Sequence, residues 1–376
     1  MKLETLKDYV QSANINFLIG SGLSRPFLPT LGNIENQLSQ VKDLACEKRR
    51  AVVATLFREY FKRVIEPNLN RGKKANGYMD TLENYRVFLR TWNSIIHNRC
   101  SCLRSKQINL FSTNIDLLVE DAVESVGVEF NDGFIGSIKP VFNEANFQKT
   151  IRKESIHFHN STELPVFNLM KMHGSINWRD REGCLTNDYQ LSLIEETRKT
   201  LEEFTDKDFP KYSDDITEIA KQVCKDVDYS AFLNQYQQFQ IVNPTKRKFS
   251  QSVLDVHFYE LMRMFSNNLE KENTLLFVMG FSFADEHIRS IVKRALKTNP
   301  TLLVIVFSYS DEEDAEFKEY LNDDSNNLMI ISPSSYCDEN RKEGESCFEK
   351  FDFESINSVF TDLLTMIPIQ FGDDKQ

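Results

Sequence analysis

Short apolar runs alternate with longer amphipathic stretches along the chain. Six runs have the length of a buried strand, and each ends at a turn or a polar residue. They cover residues 15–19, 108–112, 166–172, 275–279, 302–307 and, more weakly, 328–331. Several lack strict alternation of apolar and polar positions, which is typical of parallel strands covered on both faces.

Two of these strands lead directly into amphipathic helices. After the second strand, apolar residues recur at offsets 0, 3, 4, 7, 8 and 11 from Ile115, and after the fourth at 0, 3, 4, 7 and 8 from Ile288. Both series form one face of a 3.6-residue period, and Asp285 is placed to cap the second helix. The repeated strand–turn–helix order predicts an α/β fold: a Rossmann-like, doubly wound, mostly parallel six-stranded sheet.

The distances between the strands predict large helical insertions. The stretch after the first strand is longer than a single crossover helix requires. The stretch after the third strand is similar in character, and it is poor in Pro, Gly and Ser, which argues against a linker. We therefore expect one domain over residues 1–376, with helical insertions at 33–107 and 179–270. Residues 311–376 would form a C-terminal strand and helix extension.

The formal net charge of −11 over 376 residues disfavours a general affinity for nucleic acid, whose phosphates attract basic surfaces. Basic clusters at residues 71–74 and 246–248 are interpreted as solvated loops. The composition favours a small-molecule enzyme or a protein-binding module.

Neither a secretory signal nor a membrane span is evident, since the N-terminus lacks an apolar core and the apolar runs are too short. We expect a cytoplasmic protein. The seven cysteines are irregularly spaced, and Cys100-x-Cys102 is not a zinc pattern, so no metal site is predicted. His157-x-His159 is interpreted as part of a surface strand.

Four of the strands end in residues suited to binding a ligand, at the edge where open α/β sheets hold them. The first ends in Gly20-Ser21-Gly22-Leu23-Ser24. Glycines there let a backbone approach a phosphate closely, although a tight turn would also explain them.

The second strand is followed by Thr113, Asn114 and Asp116. A helix-capping turn is the alternative, but three polar groups exceed what one cap needs. The third is followed by His173 and Gly174, where a histidine suits general-base work or a structural hydrogen bond.

The fourth strand is followed by Gly280, Ser282 and Asp285. Ser282 could donate to a ribose or phosphate oxygen, whereas capping alone would explain Asp285. Each signal is modest, and their agreement favours a dinucleotide site.

In this order, the four motifs resemble those of the sirtuin superfamily, specifically its sirtuin-like branch in bacterial antiphage defence systems. The glycine loop is similar to the family's Gly-Ala-Gly-x-Ser phosphate loop, with Ser21 in place of Ala. The resemblance implies that Asn114 is the catalytic asparagine, Asp116 its supporting acid and His173 the base. It assigns contacts with NAD to Gly20, Ser21, Gly22, Ser24, Thr113, Asp116, Gly280, Ser282, Asp285 and, more loosely, Ser308.

The resemblance also implies an activity. The chain lacks the four-cysteine zinc module and the Pro-Asp-Phe-Arg segment of sirtuin deacylases. The resemblance therefore implies NAD⁺ hydrolysis rather than protein deacylation. Relatives in defence systems are NAD hydrolases, often oligomeric, and some act with a HerA-type ATPase. A homo-oligomer and such a partner are therefore expected. Two alternatives remain: a non-catalytic NAD or ADP-ribose sensor, and a nucleic-acid effector that grips DNA with its insertions.

Overall fold

A computed structural model describes residues 2–30, 32–41, 44–71, 75–99, 104–223, 227–242, 253–321, 326–341 and 347–367. The helices are α1 (Leu3–Ser12), α2 (Gly32–Gln40), α3 (Cys46–Tyr60), α4 (Tyr78–His97), α5 (Leu118–Val126), α6 (Ser192–Glu202), α7 (Ile216–Lys221), α8 (Ser230–Tyr236), α9 (Val253–Leu269), α10 (Glu286–Thr298), α11 (Glu313–Leu321), α12 (Pro333–Asn340) and α13 (Phe353–Thr365). The strands are β1 (Asn14–Ile19), β2 (Gln107–Ser112), β3 (Glu129–Asn131), β4 (Phe134–Ile135), β5 (Val141–Phe142), β6 (Arg152–Glu154), β7 (Ser161–Glu163), β8 (Val166–Lys171), β9 (Trp178–Arg181), β10 (Cys184–Asn187), β11 (Thr274–Met279), β12 (Leu302–Phe307) and β13 (Leu328–Ile331).

The main sheet of the described residues has seven strands in the order β13-β12-β11-β1-β2-β8-β3, and all of its pairs are parallel. The predicted α/β, Rossmann-like fold is confirmed, and all six predicted strands lie in this sheet. The seventh, β3, has three residues, which is too short for an apolar pattern to mark. The chain moves outward from β1 to β2 and β8, then returns to the other side of β1 at β11. The boundary between β1 and β11 is therefore the topological switch point of the sheet.

Each face of the sheet is covered by helices, because alternate strand residues point to opposite sides. Phe17 of β1 packs with residues of α1, α4, α5 and α13, whereas the next residue, Leu18, packs with residues of α9, α10 and α11. Strands buried on both faces explain the uniformly apolar runs in the sequence.

A third apolar cluster joins the two inserted regions. Helices α2 and α3 pack with α6, α7 and α8, and the same cluster includes Ile115 and Ile176 from the loops after β2 and β8. This helical layer therefore lies against the carboxyl ends of the central strands. The longest helix of the first insertion, α4, packs instead on the sheet itself.

Other segments differ in detail from the sequence reading. The second inserted region opens with an antiparallel pair, β9 with β10, before its helices begin. His157 and His159 lie in the exposed turn between β6 and β7, so the interpretation of a surface strand was wrong there. Cys100, Cys102 and the cluster at 246–248 lie outside the described residues, as does most of the cluster at 71–74.

A row of asparagines sets the register of the central strands. Asn16, Asn109 and Asn168 are direct neighbours on β1, β2 and β8. The Asn109 amide donates to Asn16 Oδ1 at 2.9 Å, and the Asn168 amide donates to Asn109 Oδ1 at 3.0 Å. A register shift of one residue between neighbouring strands would break the hydrogen bond between their asparagines, and buried amides are costly to leave without partners. The row therefore aligns the carboxyl ends of these strands.

Candidate functional site

The loops after the strands meet at one edge of the sheet. Backbone bonds continue the ladder just past the strand ends: Thr113 N donates to Ile19 O at 3.0 Å, and Met172 N donates to Ser112 O at 2.8 Å. Neighbouring strands are about 4.8 Å apart. Asn114 and His173, each two residues beyond paired strand ends, therefore begin adjacent loops.

Asn114 is buried, at 7% exposure, and the contacts of its amide fix its orientation. Its Nδ2 donates to the Gly20 carbonyl oxygen at 3.0 Å and to Ser24 Oγ at 3.1 Å. A carbonyl can only accept, so the NH₂ end must face Gly20. Asn114 Oδ1 is buried without a hydrogen-bond partner among the described residues. The described residues thus leave one acceptor of this amide unpaired.

Asp116 reaches Asn114 through Ser24. Asp116 Oδ2 accepts from Ser24 Oγ at 2.6 Å, and Asp116 Oδ1 accepts from Leu118 N at 3.1 Å at the start of α5. Both carboxylate oxygens thus stabilise the loop. The three side chains form one buried network that connects the ends of β1 and β2.

Tyr85 of α4 places a fully buried hydroxyl beside Ser24 and Asn114. Burial raises the pKa of Tyr85 well above its usual value, and the negative charge of Asp116 raises it further. The hydroxyl therefore stays protonated and can act as a neutral donor. Nothing in the sequence singles out Tyr85, because α4 is an ordinary amphipathic helix.

His173 faces the loop that follows β11. Its Nε2 lies 3.3 Å from Asp285 Oδ2, without the alignment of a hydrogen bond. Asp285 Oδ1 accepts from His287 N and Ile288 N, so Asp285 is also the predicted cap of α10. Since β8 and β11 are separated by β1 and β2, this contact spans the carboxyl ends of both central strands.

The segment 240–242 holds the histidine loop from outside. Val242 N donates to His173 O at 2.8 Å, and Ser175 N donates to Gln240 O at 3.2 Å. Gly174 has φ +75°, and a Cβ there would lie 2.0 Å from Gln240 O. Glycine is thus required at position 174 so that the loop after β8 and the segment 240–242 can lie against each other.

Glycines also let the loops after β1 and β11 touch at the switch point. A Cβ on Gly20 would lie 2.3 Å from Gly280 O, and one on Gly22 would lie 2.8 Å from Gly280 Cα. Gly22 N donates to Gly280 O at 3.0 Å. Close packing between the two loops therefore explains these glycines.

The remaining predicted ligand residues are spread along the same edge. Ser21 and Ser282 are exposed, whereas Thr113 Oγ1 donates to Ile19 O at 3.3 Å. Ser308 is fully buried and its hydroxyl donates to Ser310 O at 2.7 Å. Ser308 follows β12, so it lies farther from Asn114 than the other loops do.

Sequence reasoning also missed Lys171 and Glu120. Lys171 is 4% exposed, and its Nζ lies 2.7 Å from Glu120 Oε1. Lys171 is the one charged residue of β8, and a charge within a buried strand could have revealed it.

Two cavities lie outside this network. One of about 440 Å³ is lined by residues of β9, the β9–β10 turn, Gln238 and Gln240, and so borders the segment that holds the histidine loop. The other, of about 280 Å³, lies beside α7. Within the described ranges, no cluster of three potential metal ligands occurs. No described helix is long and apolar enough to cross a membrane.

Comparison with known families agrees with this architecture. A family model described as a SIR2-like domain matches residues 109–330, more than half of the chain. The chain therefore belongs to the SIR2-like domain family, and an NAD-dependent activity in general follows from that membership. The matched span contains the loops after β2, β8 and β11, and it begins after the glycine loop. No curated protein matches the chain.

Proposed function

We propose that this chain is an NAD⁺ glycohydrolase that cleaves the bond between nicotinamide and ribose, giving nicotinamide and ADP-ribose. The observation that carries the proposal is the buried network of Ser24, Asn114 and Asp116, formed next to the loop of His173. Its one unpaired acceptor, Asn114 Oδ1, suits a hydroxyl of ribose or an attacking water.

The reaction needs positioning more than a strong nucleophile. Breaking the bond leaves positive charge on the ribose ring, as in other glycoside hydrolysis, and nicotinamide departs as a neutral molecule. The protein must hold the ribose, stabilise the cationic sugar and orient one water molecule. Preorganised dipoles and a nearby carboxylate meet these needs.

In this proposal, Asn114 and Asp116 divide the work. Asn114 Oδ1 would accept from water or a ribose hydroxyl, its orientation fixed by Gly20 and Ser24. Asp116 would hold Ser24 in place and add a negative potential that favours the cationic sugar. Its effect on Asn114 would thus pass through the Ser24 hydroxyl.

His173 would act as the general base. Proton transfer by a positioned histidine typically contributes about 10²–10⁴-fold to a rate. Asp285, with Oδ2 at 3.3 Å from His173 Nε2, would orient the imidazole. The two loops would then act from opposite ends of one site.

The dinucleotide would lie along the same edge. We assign its diphosphate to Gly20, Ser21, Gly22, Ser24 and Thr113. Gly280, Ser282, Asp285 and Ser308 would contact the ribose and adenosine side. Because Gly22 and Gly280 touch, the loops after β1 and β11 would have to separate to admit a diphosphate between them.

The biological setting of the proposal follows from the resemblance to defence proteins. We propose a cytoplasmic effector that depletes NAD⁺ during phage infection, works as a homo-oligomer and acts with a HerA-type ATPase partner. No metal is required by the chemistry proposed.

The test uses Asn114→Ala and His173→Ala, with His97→Ala as the matched control. His97 is exposed at the end of α4. The purified variants are compared for release of nicotinamide and, by calorimetry, for binding of NAD⁺. We expect both site variants to bind NAD⁺ and to lose at least about 10²-fold in turnover, with His97→Ala unchanged. Undiminished turnover in both would refute the assignment, and binding without turnover by the wild type would favour a sensor.

A further inference from the structure

Lys171 is a buried cation whose donors are all used. It is the last residue of β8, and its Nζ lies 2.7 Å from Glu120 Oε1 and 3.0 Å from Ser175 Oγ. Nζ also donates to the backbone carbonyl of Asp116. An ammonium group has three N–H donors, and here each has an acceptor.

Two of these acceptors belong to the two loops that carry the proposed chemistry. Asp116 lies in the loop after β2, and Ser175 lies in the loop after β8. Ser175 Oγ in turn donates to Ile115 O at 3.3 Å, and Ile176 N donates to the same carbonyl at 3.1 Å. Lys171 therefore connects the two loops, because it donates a hydrogen bond to each of them.

We propose that Lys171 is a positioning residue, which holds the loop of Asn114 and Asp116 at a fixed distance from the loop of His173. The proposal rests on the proposed function. In it, Glu120 serves as the counter-ion of the buried ammonium, and the Ser175 hydroxyl connects the ammonium to the backbone carbonyl of Ile115.

Stability alone does not account for this arrangement. Replacing a buried ion pair by apolar residues of similar volume is often neutral or stabilising, whereas removing one partner is strongly destabilising. An apolar residue would continue the buried run of β8 without the desolvation cost. The ammonium supplies what such a residue cannot, a bond to the carbonyl of Asp116.

The same reasoning selects the variants. Lys171→Met alone leaves the partly buried Glu120 without a cation, so it is paired with Glu120→Gln in a double variant that carries no uncompensated charge. Glu120→Gln alone is the comparison variant. It loses the ion pair, so its stability falls, but Lys171 keeps its bonds to Asp116 and Ser175, and a difference from the double variant is due to those bonds. Far-UV circular dichroism and thermal unfolding establish that each variant is folded.

The first readout is steady-state hydrolysis of NAD⁺. A catalytic group displaced by about 1 Å can cost about 10²-fold in rate. We expect kcat of the double variant to fall by about that factor while KM stays within about threefold, because the dinucleotide contacts remain. The single variant should keep most of its kcat. A double variant with the kcat of the single variant would overturn the proposal.

The second readout does not depend on activity. Hydrogen exchange of the backbone amides is compared between the double variant and the Glu120→Gln protein. We expect faster exchange confined to residues 113–118 and 173–176. Unchanged exchange there, or a uniform rise across the sheet, would overturn the proposal. If the wild type releases no nicotinamide, the proposed function fails, and the exchange pattern alone decides whether Lys171 links the loops.

Discussion

Replacing Ser24 by alanine should weaken both the fold and the proposed site. The hydroxyl of Ser24 donates to Asp116 Oδ2 at 2.6 Å and accepts from Asn114 Nδ2 at 3.1 Å, and it is 2% exposed. Hydrogen bonds to charged groups contribute about 1.5–3 kcal/mol each, and a buried group left without its partner carries its desolvation cost. Asn114 Nδ2 keeps its bond to Gly20, so the larger loss arises at Asp116. We expect the free energy of unfolding to fall by about 1.5–3 kcal/mol.

The same loss has a kinetic equivalent. Without the Ser24 hydroxyl, the orientation of Asn114 in the transition state is no longer fixed. A loss of about 1.5–3 kcal/mol in the transition state lowers kcat by about 10–100-fold, since each 1.36 kcal/mol corresponds to a factor of ten. Ser12→Ala is the matched control, because Ser12 is exposed at the end of α1 and lies outside the proposed site. Urea unfolding and nicotinamide release are measured for both variants. If Ser24→Ala is no less stable and no slower than Ser12→Ala, the hydrogen-bonded network of Ser24, Asn114 and Asp116 does not have the role proposed for it.

Three further results are expected. Gly280→Ala should destabilise the fold more than Gly183→Ala, because both have positive φ but only at Gly280 would a Cβ meet backbone, at 2.7 Å from Leu23 N; equal urea midpoints would contradict this. Asp285→Ala should lose about 1 kcal/mol of capping energy, whereas Asp285→Ser should keep most of it, and calorimetric unfolding of both checks the difference. Burial raises the pKa of the Glu120 carboxyl. At pH values above the pKa of an ordinary carboxyl, Glu120 therefore binds more protons in the folded protein than in the unfolded chain. Wild-type stability should therefore fall as pH rises above the ordinary carboxyl pKa, with a slope absent from Glu120→Gln. Parallel stability curves for the two proteins would refute the shift.

The sheet could be read from the sequence because strands buried on both faces leave continuous apolar runs. All six predicted strands lie in the sheet, whereas β3 was missed since three residues carry too little pattern. The cap at Asp285 was also predicted correctly, because a short acceptor before an amphipathic stretch acts locally.

The long-range parts of the site could not be read in this way. The contact of His173 with Asp285 joins residues separated by more than one hundred positions, and no periodicity encodes it. Tyr85 approaches Asn114 from a helix whose pattern shows only that it is buried. The glycines were predicted to allow a close approach of the backbone to a ligand. That Gly20 instead contacts Gly280 depends on the strand order around β1, which the local sequence does not encode.

Product analysis of the purified wild-type chain tests the central proposal most directly. The protein is incubated with NAD⁺, and nicotinamide, ADP-ribose and cyclic products are separated by chromatography. We predict nicotinamide and ADP-ribose in equal amounts, formed at a rate that depends on Asn114. Recovery of intact NAD⁺ from a protein shown to bind it would contradict the proposal.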